Sequence, residues 1–401
     1  MPDSPTLVQK LETAPSRRPK PAGRPFFGLI DAVLVPDPAG FDFDGAVSET
    51  HAAAAWTWMV RDIAPDLIDA GATGDEPGAR EALDALMPEL LQRARAALAA
   101  TAADAEMTRR LKVQFGGETA FERLPVVLNA LKCRSLLDKA QAFGRAANGM
   151  ADEAALGLAL QSMPLSDHAV SALLMQAAMG QVTNPSKLVT AVIRLTGSAS
   201  EKAVQRAGFG PLVDAMLSHA QAQVPALQQY GAFADIDLVC RAIDRFHRLM
   251  RAVTGFIELG RLSRWSMLVA AVTKNVSEVV EPKLRDVTLD VNLALRRHQG
   301  TDRLDSDQVL AALNGCYVLA TVRDCRDSLA LNAMFDQIWT QVGQSLEVHV
   351  QRNLEIFRQN PTDRVTGARL DAAIKMAELR FNTEYADVLR RARDGAEKRA
   401  G

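Results

Sequence analysis

The apolar positions of this chain recur mainly at spacings of three and four, the period of a helix with one buried face. The clearest run lies between Asp235 and Ile257. There Leu238, Val239, Ala242, Ile243, Phe246, Leu249, Met250, Val253, Phe256 and Ile257 share one arc of a helical wheel. Arg241, Arg245 and Arg248 lie opposite, and Asp244 is placed to pair with Arg248 four residues on. The next series, Leu262, Trp265, Val269, Val272, Val276 and Val279, alternates threes and fours as an a/d seam does. Pro282 interrupts it, and Leu284, Val287, Val291 and Ala294 resume it in a shifted register. A long tract over 307–359 carries Leu331, Phe335, Ile338, Val342, Leu346 and Val350 on one face and stops at Pro361. A last helix is expected over 364–394, with Leu370, Ile374, Ala377, Phe381 and Val388 facing inward.

The front half is more broken. Residues 46–70 read as a helix through Trp56, Met59, Val60, Ile63 and Leu67, broken at Pro65, and a Gly/Asp/Pro-rich loop follows over 71–78. A helix over 79–104 with a kink or restart at Pro88 comes next, then a turn at Gly116-Gly117 and one or two helices over 119–148 around Pro125. Asn184-Pro185 places a cap residue before a proline whose missing donor costs nothing at a first helical position. Thr196-Gly197-Ser198 ends that helix, and Ser198 with Glu201 spells a capping box for the next. Gly208-Phe209-Gly210-Pro211 leads into a helix ending near Tyr230, and Ser306 is the expected cap after a polar turn at 300–307. Period-two alternation of β-branched residues is missing after residue 45. The expected fold class is all-α: a multi-helix bundle or elongated helical stack, with long antiparallel helices in the C-terminal half.

Proline usage suggests the organisation. Eight of the 18 prolines fall in the first 38 residues, and only Pro282 and Pro361 follow Pro225. Residues 1–45 read as a disordered, basic, proline-rich leader, 46–231 as an N-terminal helical domain and 232–401 as a C-terminal long-helix bundle. Within the leader, Arg17, Arg18, Lys20 and Arg24 stand among prolines. Phe26 and Phe27 then open an apolar segment ending at Val35, a strand or a turn or two of helix, which is expected to dock on the body as a tether.

Composition narrows the function classes. The chain has 401 residues, 48% hydrophobic and 23% charged, with a net charge of −2. It exerts no strong field on nucleic acid, and no nucleic-acid partner is expected. The basic residues at the front have no apolar stretch of secretory type behind them, and Phe26–Val35 is far short of the ~20 residues that span a bilayer. A cytoplasmic location is expected. The four cysteines, Cys133, Cys240, Cys316 and Cys325, form no CxxC pair and no zinc spacing, so they read as free thiols.

Catalytic signatures are missing: no GxxxxGK[ST], HExxH or GxSxG occurs. Glu49 and His51, like Glu347 and His349, sit two residues apart, roughly 200° around a helix, and share no metal. No metal or cofactor is expected. The six histidines, His51, His168, His219, His247, His298 and His349, are dispersed. Phe41-Asp42-Phe43-Asp44 puts two carboxylates on one face if extended, and reads as a polar linker. Residues 167–196 have the outline of a helix-turn-helix, but the reader helix carries only Lys187 and Arg194, so core helices are expected.

The function expected from these readings is a non-enzymatic scaffold or adaptor that binds a protein partner and self-associates through Leu262, Trp265, Val269, Val272 and Val276. Arg241, Arg245 and Arg248 are a candidate surface for an anion or an acidic partner, set against an ordinary solvated helix face. One alternative is an enzyme or ligand-binding bundle whose site assembles from distant residues such as His168, His219, His247 and Arg241. The other is a peripheral membrane protein holding an anionic surface with Arg17, Arg18, Lys20, Arg24, Phe26 and Phe27.

Overall fold

The computed structural model describes residues 25–37, 40–68, 78–297 and 303–400. Arg17, Arg18, Lys20 and Arg24, most of the 71–78 loop, part of the 300–307 turn and His298 lie outside the described residues. The chain divides into two compact units, each discontinuous in sequence. One comprises Met1–Asp37, Asp44–Arg145 and Asp167–Gln181; the other comprises Pro38–Phe43, Ala146–Ser166 and Val182–Gly401. No boundary falls at 231, because the helices on either side of that residue pack together in the second unit.

In the first unit, α1 (Pro25–Ile30) runs into a 3-10 turn and a two-residue strand, β1 (Leu34–Val35). β1 pairs in parallel with β2 (Val47–Ser48), Leu34 opposite Val47. The second strand lies beyond residue 45 and escapes a period-two search because two residues cannot alternate. Phe26 is fully buried and stacks on Trp56, centroids 4.7 Å apart, so the apolar hook belongs to this unit's own core. Ser48 caps α2 (Glu49–Trp58), accepting from the His51 amide, and a π-turn at Met59–Ile63 closes it before Pro65. Next come α3 (Ala79–Ala102), α4 (Ala105–Gln114), α5 (Glu118–Lys132) and α6 (Arg134–Gly149). α3 runs through Pro88 and α5 through Pro125; the break expected at Pro125 lies instead at Cys133. α7 (Glu153–Gln161) belongs to the second unit, and α8 (His168–Met179) returns to the first. Every residue of α8 from Ser171 to Met179 is buried. Met87, Leu90, Leu124, Leu131, Leu173 and Ala177 join in one core.

In the second unit, α9 (Pro185–Thr196) starts on its proline and ends at Gly197, whose φ of 67° suits a residue without Cβ. The cap of α10 (Glu201–Arg206) is Ser200, not Ser198. The backbone there is drawn into a bridge: the Glu258 amide donates to Ala199 at 2.9 Å, and the Glu201 amide to Glu258 at 3.2 Å. The Glu201 side chain, expected to close a capping box, instead accepts from the Gly260 amide at 2.9 Å. α11 (Gly210–Gln221), α12 (Val224–Leu227), α13 (Ile236–Thr254) and α14 (Arg264–Arg285) follow, with Asp235 capping α13 and Ser263 capping α14. α14 passes Pro282, and the break comes at Asp286, before α15 (Val287–Leu295). Asp305, not Ser306, caps α16 (Ser306–Cys325). A 3-10 turn at Arg326–Ser328 separates α16 from α17 (Asn332–Gln359), which splits the tract expected over 307–359. The last expected helix is likewise two, α18 (Arg364–Arg380) and α19 (Thr383–Ala400).

α13 packs on α11 and α16, α17 on α15 and α18, and α14 on α11, α12, α16 and α17. Trp265, Leu268, Val272, Val276, Val280 and Leu284 are buried by these contacts. The seam is therefore occupied by the chain's own helices. Of the five residues expected to self-associate, Trp265, Val272 and Val276 are buried, Val269 is half-buried, and Leu262 alone stands in water at 85% exposure. The described chain is all-α apart from the one short strand pair. No described helix is long and apolar enough to cross a membrane.

Candidate functional site

The polar side of α13 gathers the arginine stripe, and the structure shows what it touches. Arg241 is exposed and donates to the carbonyl of Asp237 at 3.2 Å, on its own helix. Arg245 is half-buried and donates to the Val182 carbonyl. Arg248 donates to the Thr183 carbonyl at 3.2 Å and pairs with Asp244, the four-residue spacing expected. Burial first, and then the neighbouring Arg248 charge, push the Arg245 guanidinium down to about 10. The turn these arginines hold is closed from its other side: the Thr183 amide and hydroxyl donate to Asn148 Oδ1 at 2.8 and 2.9 Å. Lys187 donates to the Met150 carbonyl at 2.6 Å. Cations thus satisfy carbonyls at a turn and just past the end of α6, where the helix dipole favours positive charge. Arg194, the other cation of α9, pairs with Glu153 at 2.8 Å.

A second polar group on α13 centres on His247, between Arg245 and Arg248 in sequence. His247 Nδ1 lies 2.9 Å from Ser328 Oγ. The histidine thereby ties α13 to the 3-10 turn that ends α16. Burial first, then Arg251, lowers its pKa. Ser328 is buried, so the pair closes a turn. Burial pushes the Cys325 thiol up to about 12 and raises that of Cys240 as well.

The remaining feature is the loop over 228–235, between α12 and α13. The end of α14 and the middle of α16 hold it. Lys283 of α14 donates to the Gln229 carbonyl, and its ammonium stands over the Tyr230 ring, 5.1 Å from the centroid. The Tyr230 hydroxyl donates to Asp286 Oδ2 at 2.6 Å. Asn314 of α16 donates to the carbonyls of Gly231 and Ala232, each at 3.2 Å. Inside the loop, the Asp235 amide donates to Gln229 Oε1 at 3.0 Å. Gly231 takes a φ of 89°, a conformation that favours glycine. On this fastened loop Tyr230 is 58% and Phe233 86% exposed. Exposed aromatics on an immobilised backbone are the arrangement from which binding anchors are made.

The other residues singled out from sequence are dispersed. Asp44 lies in the first unit with His168 Nε2 at 3.1 Å and Arg123 at 3.6 Å, whereas Asp42 lies in the second unit. His349 Nε2 is 2.9 Å from Asn292 Oδ1. Of the residues named for an assembled site, His168 belongs to the first unit and His219, His247 and Arg241 to the second. Among the described residues, no group of three or more His, Cys, Asp or Glu is placed to hold a metal ion. Sequence reasoning missed Tyr230 and Phe233. The signal was there in part: two aromatics flank a glycine in a chain only 5% aromatic, outside any helical period. Phe256, expected on the apolar arc of α13, is exposed because the helix ends at Thr254. In comparisons with protein-family models, curated proteins and solved structures, no match to this chain was found.

Proposed function

We propose that this chain is a non-enzymatic helical scaffold that engages a protein partner, with the 228–235 loop as a principal contact. The observation that supports it is the pairing of restraint with exposure. Lys283, Asp286 and Asn314 fasten the loop, yet its Phe233 stands almost entirely in water. An exposed phenylalanine contributes little to the fold, and ordering its loop costs conformational entropy. Burying that ring against a partner is worth about 1.5–3 kcal/mol, and a loop ordered in advance loses less on binding. A cytoplasmic setting belongs to the same proposal, supported by four cysteines that are all free thiols.

The test is site-specific crosslinking in cells. A photoreactive phenylalanine analogue replaces Phe233, and a control chain carries it at Val113, an exposed apolar position of the first unit. A discrete polypeptide adduct from position 233 that is missing from position 113 is expected. No adduct at 233, or the same adducts at both positions, overturns the proposal.

A further inference from the structure

We infer that the partner is a basic polypeptide segment bearing large apolar side chains, and that the outer face of α15 receives it beside Tyr230. This rests on the scaffold reading and narrows it to one chemical class. Asp286, Leu289, Asp290 and Leu293 fall within roughly 100° of arc around α15. Val287, Val291, Ala294 and Leu295, on the other side, are buried. Leu289 is 59% exposed and Leu293 is exposed beside it. The bond from Tyr230 to Asp286 joins the aromatic loop to this face. The face is also firmly seated: a Cβ added at Gly315 of α16 would lie 3.0 Å from Val287 Cγ2, so the two helices are in close contact there.

The charge on this face selects the partner. Asp290 is half-buried, and burial first, then the adjacent Asp286, raises its carboxyl above the ordinary value. No cation offsets it among the described residues. A partly desolvated carboxylate without a counter-ion is stabilised by an incoming lysine or arginine, while the flanking leucines and Phe233 need apolar cover. Phosphate-bearing surfaces, whether nucleic acid or anionic membrane, meet repulsion from the same two carboxylates. A polypeptide supplies both cations and apolar side chains on one strip.

The experiment selects binders from a random-peptide phage library on the immobilised full-length chain. Recovered peptides are expected to carry Lys or Arg beside Leu or Phe. Their affinity should fall about tenfold in Asp286→Asn/Asp290→Asn, less so at high salt, where charge attraction is screened. It should fall also in Phe233→Ala, with an unchanged melting temperature confirming that each variant folds. Acidic or uncharged peptides that still depend on Phe233 would overturn the basic class and leave the scaffold reading standing. Peptides indifferent to all three substitutions, or no peptides at all, would overturn both. Co-sedimentation with phosphatidylserine vesicles that is abolished by Leu289→Ala would overturn the polypeptide assignment.

Discussion

Arg134 holds both oxygen-bearing groups of Asp84: its guanidinium bonds the carboxylate and donates to the main-chain carbonyl at 3.1 Å. That carbonyl lies four residues before Pro88, which has no amide to offer it. α3 therefore continues through its proline because a side chain from α6 replaces the missing donor. Removing that donor leaves the carbonyl short of a partner. Arg134→Met is expected to lower stability by about 1–3 kcal/mol in urea unfolding. In a Pro88→Ala background, where an amide returns, the same substitution should cost clearly less. Equal costs in both backgrounds would refute this account of the helix.

Two glycines are required by backbone approach. A Cβ at Gly144 would lie 2.2 Å from the Ala178 carbonyl oxygen, and one at Gly45 equally close to that of Ala172. Neither neighbour is a movable side-chain end, so α8 itself would have to shift. Gly144→Ala and Gly45→Ala are each expected to destabilise by about 1–3 kcal/mol or more. Gly149→Ala, with nothing within 4 Å, should be neutral or slightly stabilising. Thermal melts of the three variants check the contrast, and a mild effect at Gly144 would mean a looser fit of α6 on α8.

The thiols make a chemical prediction. Burial pushes Cys316 and Cys325 up to about 12, and raises Cys133 and Cys240 as well. The reactive form is the thiolate, so an aromatic disulfide reagent at pH 8 should label none of the four rapidly in the folded chain. All four should react in denaturant. Rapid labelling of any of them in the native protein would contradict the packing of α13 and α16 or of α5.

Tyr230 is held protonated. The bond to Asp286, then burial, pushes its phenol up to about 12. Because the folded value is raised, the bond's contribution is fully present below the ordinary tyrosine value of about 10 and is lost as pH rises through the folded value. Burial raises Tyr385 as well, so ultraviolet titration should show late-ionising tyrosine in the unmodified chain, and Asp286→Ala should move the Tyr230 part of it back toward about 10 while the rest stays late. An unchanged titration in that variant would mean that the Tyr230–Asp286 bond does not form in solution.

The helical faces were legible because burial imposes a period. Phe335, Ile338, Val342, Leu346 and Val350 recur at threes and fours, and all are buried. Most break points were not legible. Pro88, Pro125 and Pro282 looked like breaks, yet their helices continue. What rescues a proline, as Arg134 does for Pro88, is a side chain distant in sequence. Ser198 and Ser306 had the right chemistry for caps, but tertiary bridging chose Ser200, and Asp305 lay nearer the turn. The aromatic loop eluded the sequence for a similar reason. Its fastening comes from residues 283 and 286 at the end of one helix and 314 in another, segments with no shared pattern, and exposure leaves no periodic trace.

Amide hydrogen exchange of the free full-length chain tests most directly whether the aromatic loop is set in place before any partner arrives. The Ala234 amide donates to the Gly231 carbonyl at 3.3 Å and the Asp235 amide to Gln229 Oε1 at 3.0 Å. Both amides are expected to exchange at least about tenfold slower than in an unstructured peptide, and Asn314→Ala, which frees the Gly231 and Ala232 carbonyls, should remove that protection. Exchange at the unstructured rate in the unmodified chain would contradict that placement, since Phe233 would then be carried on a loop with no fixed position to offer.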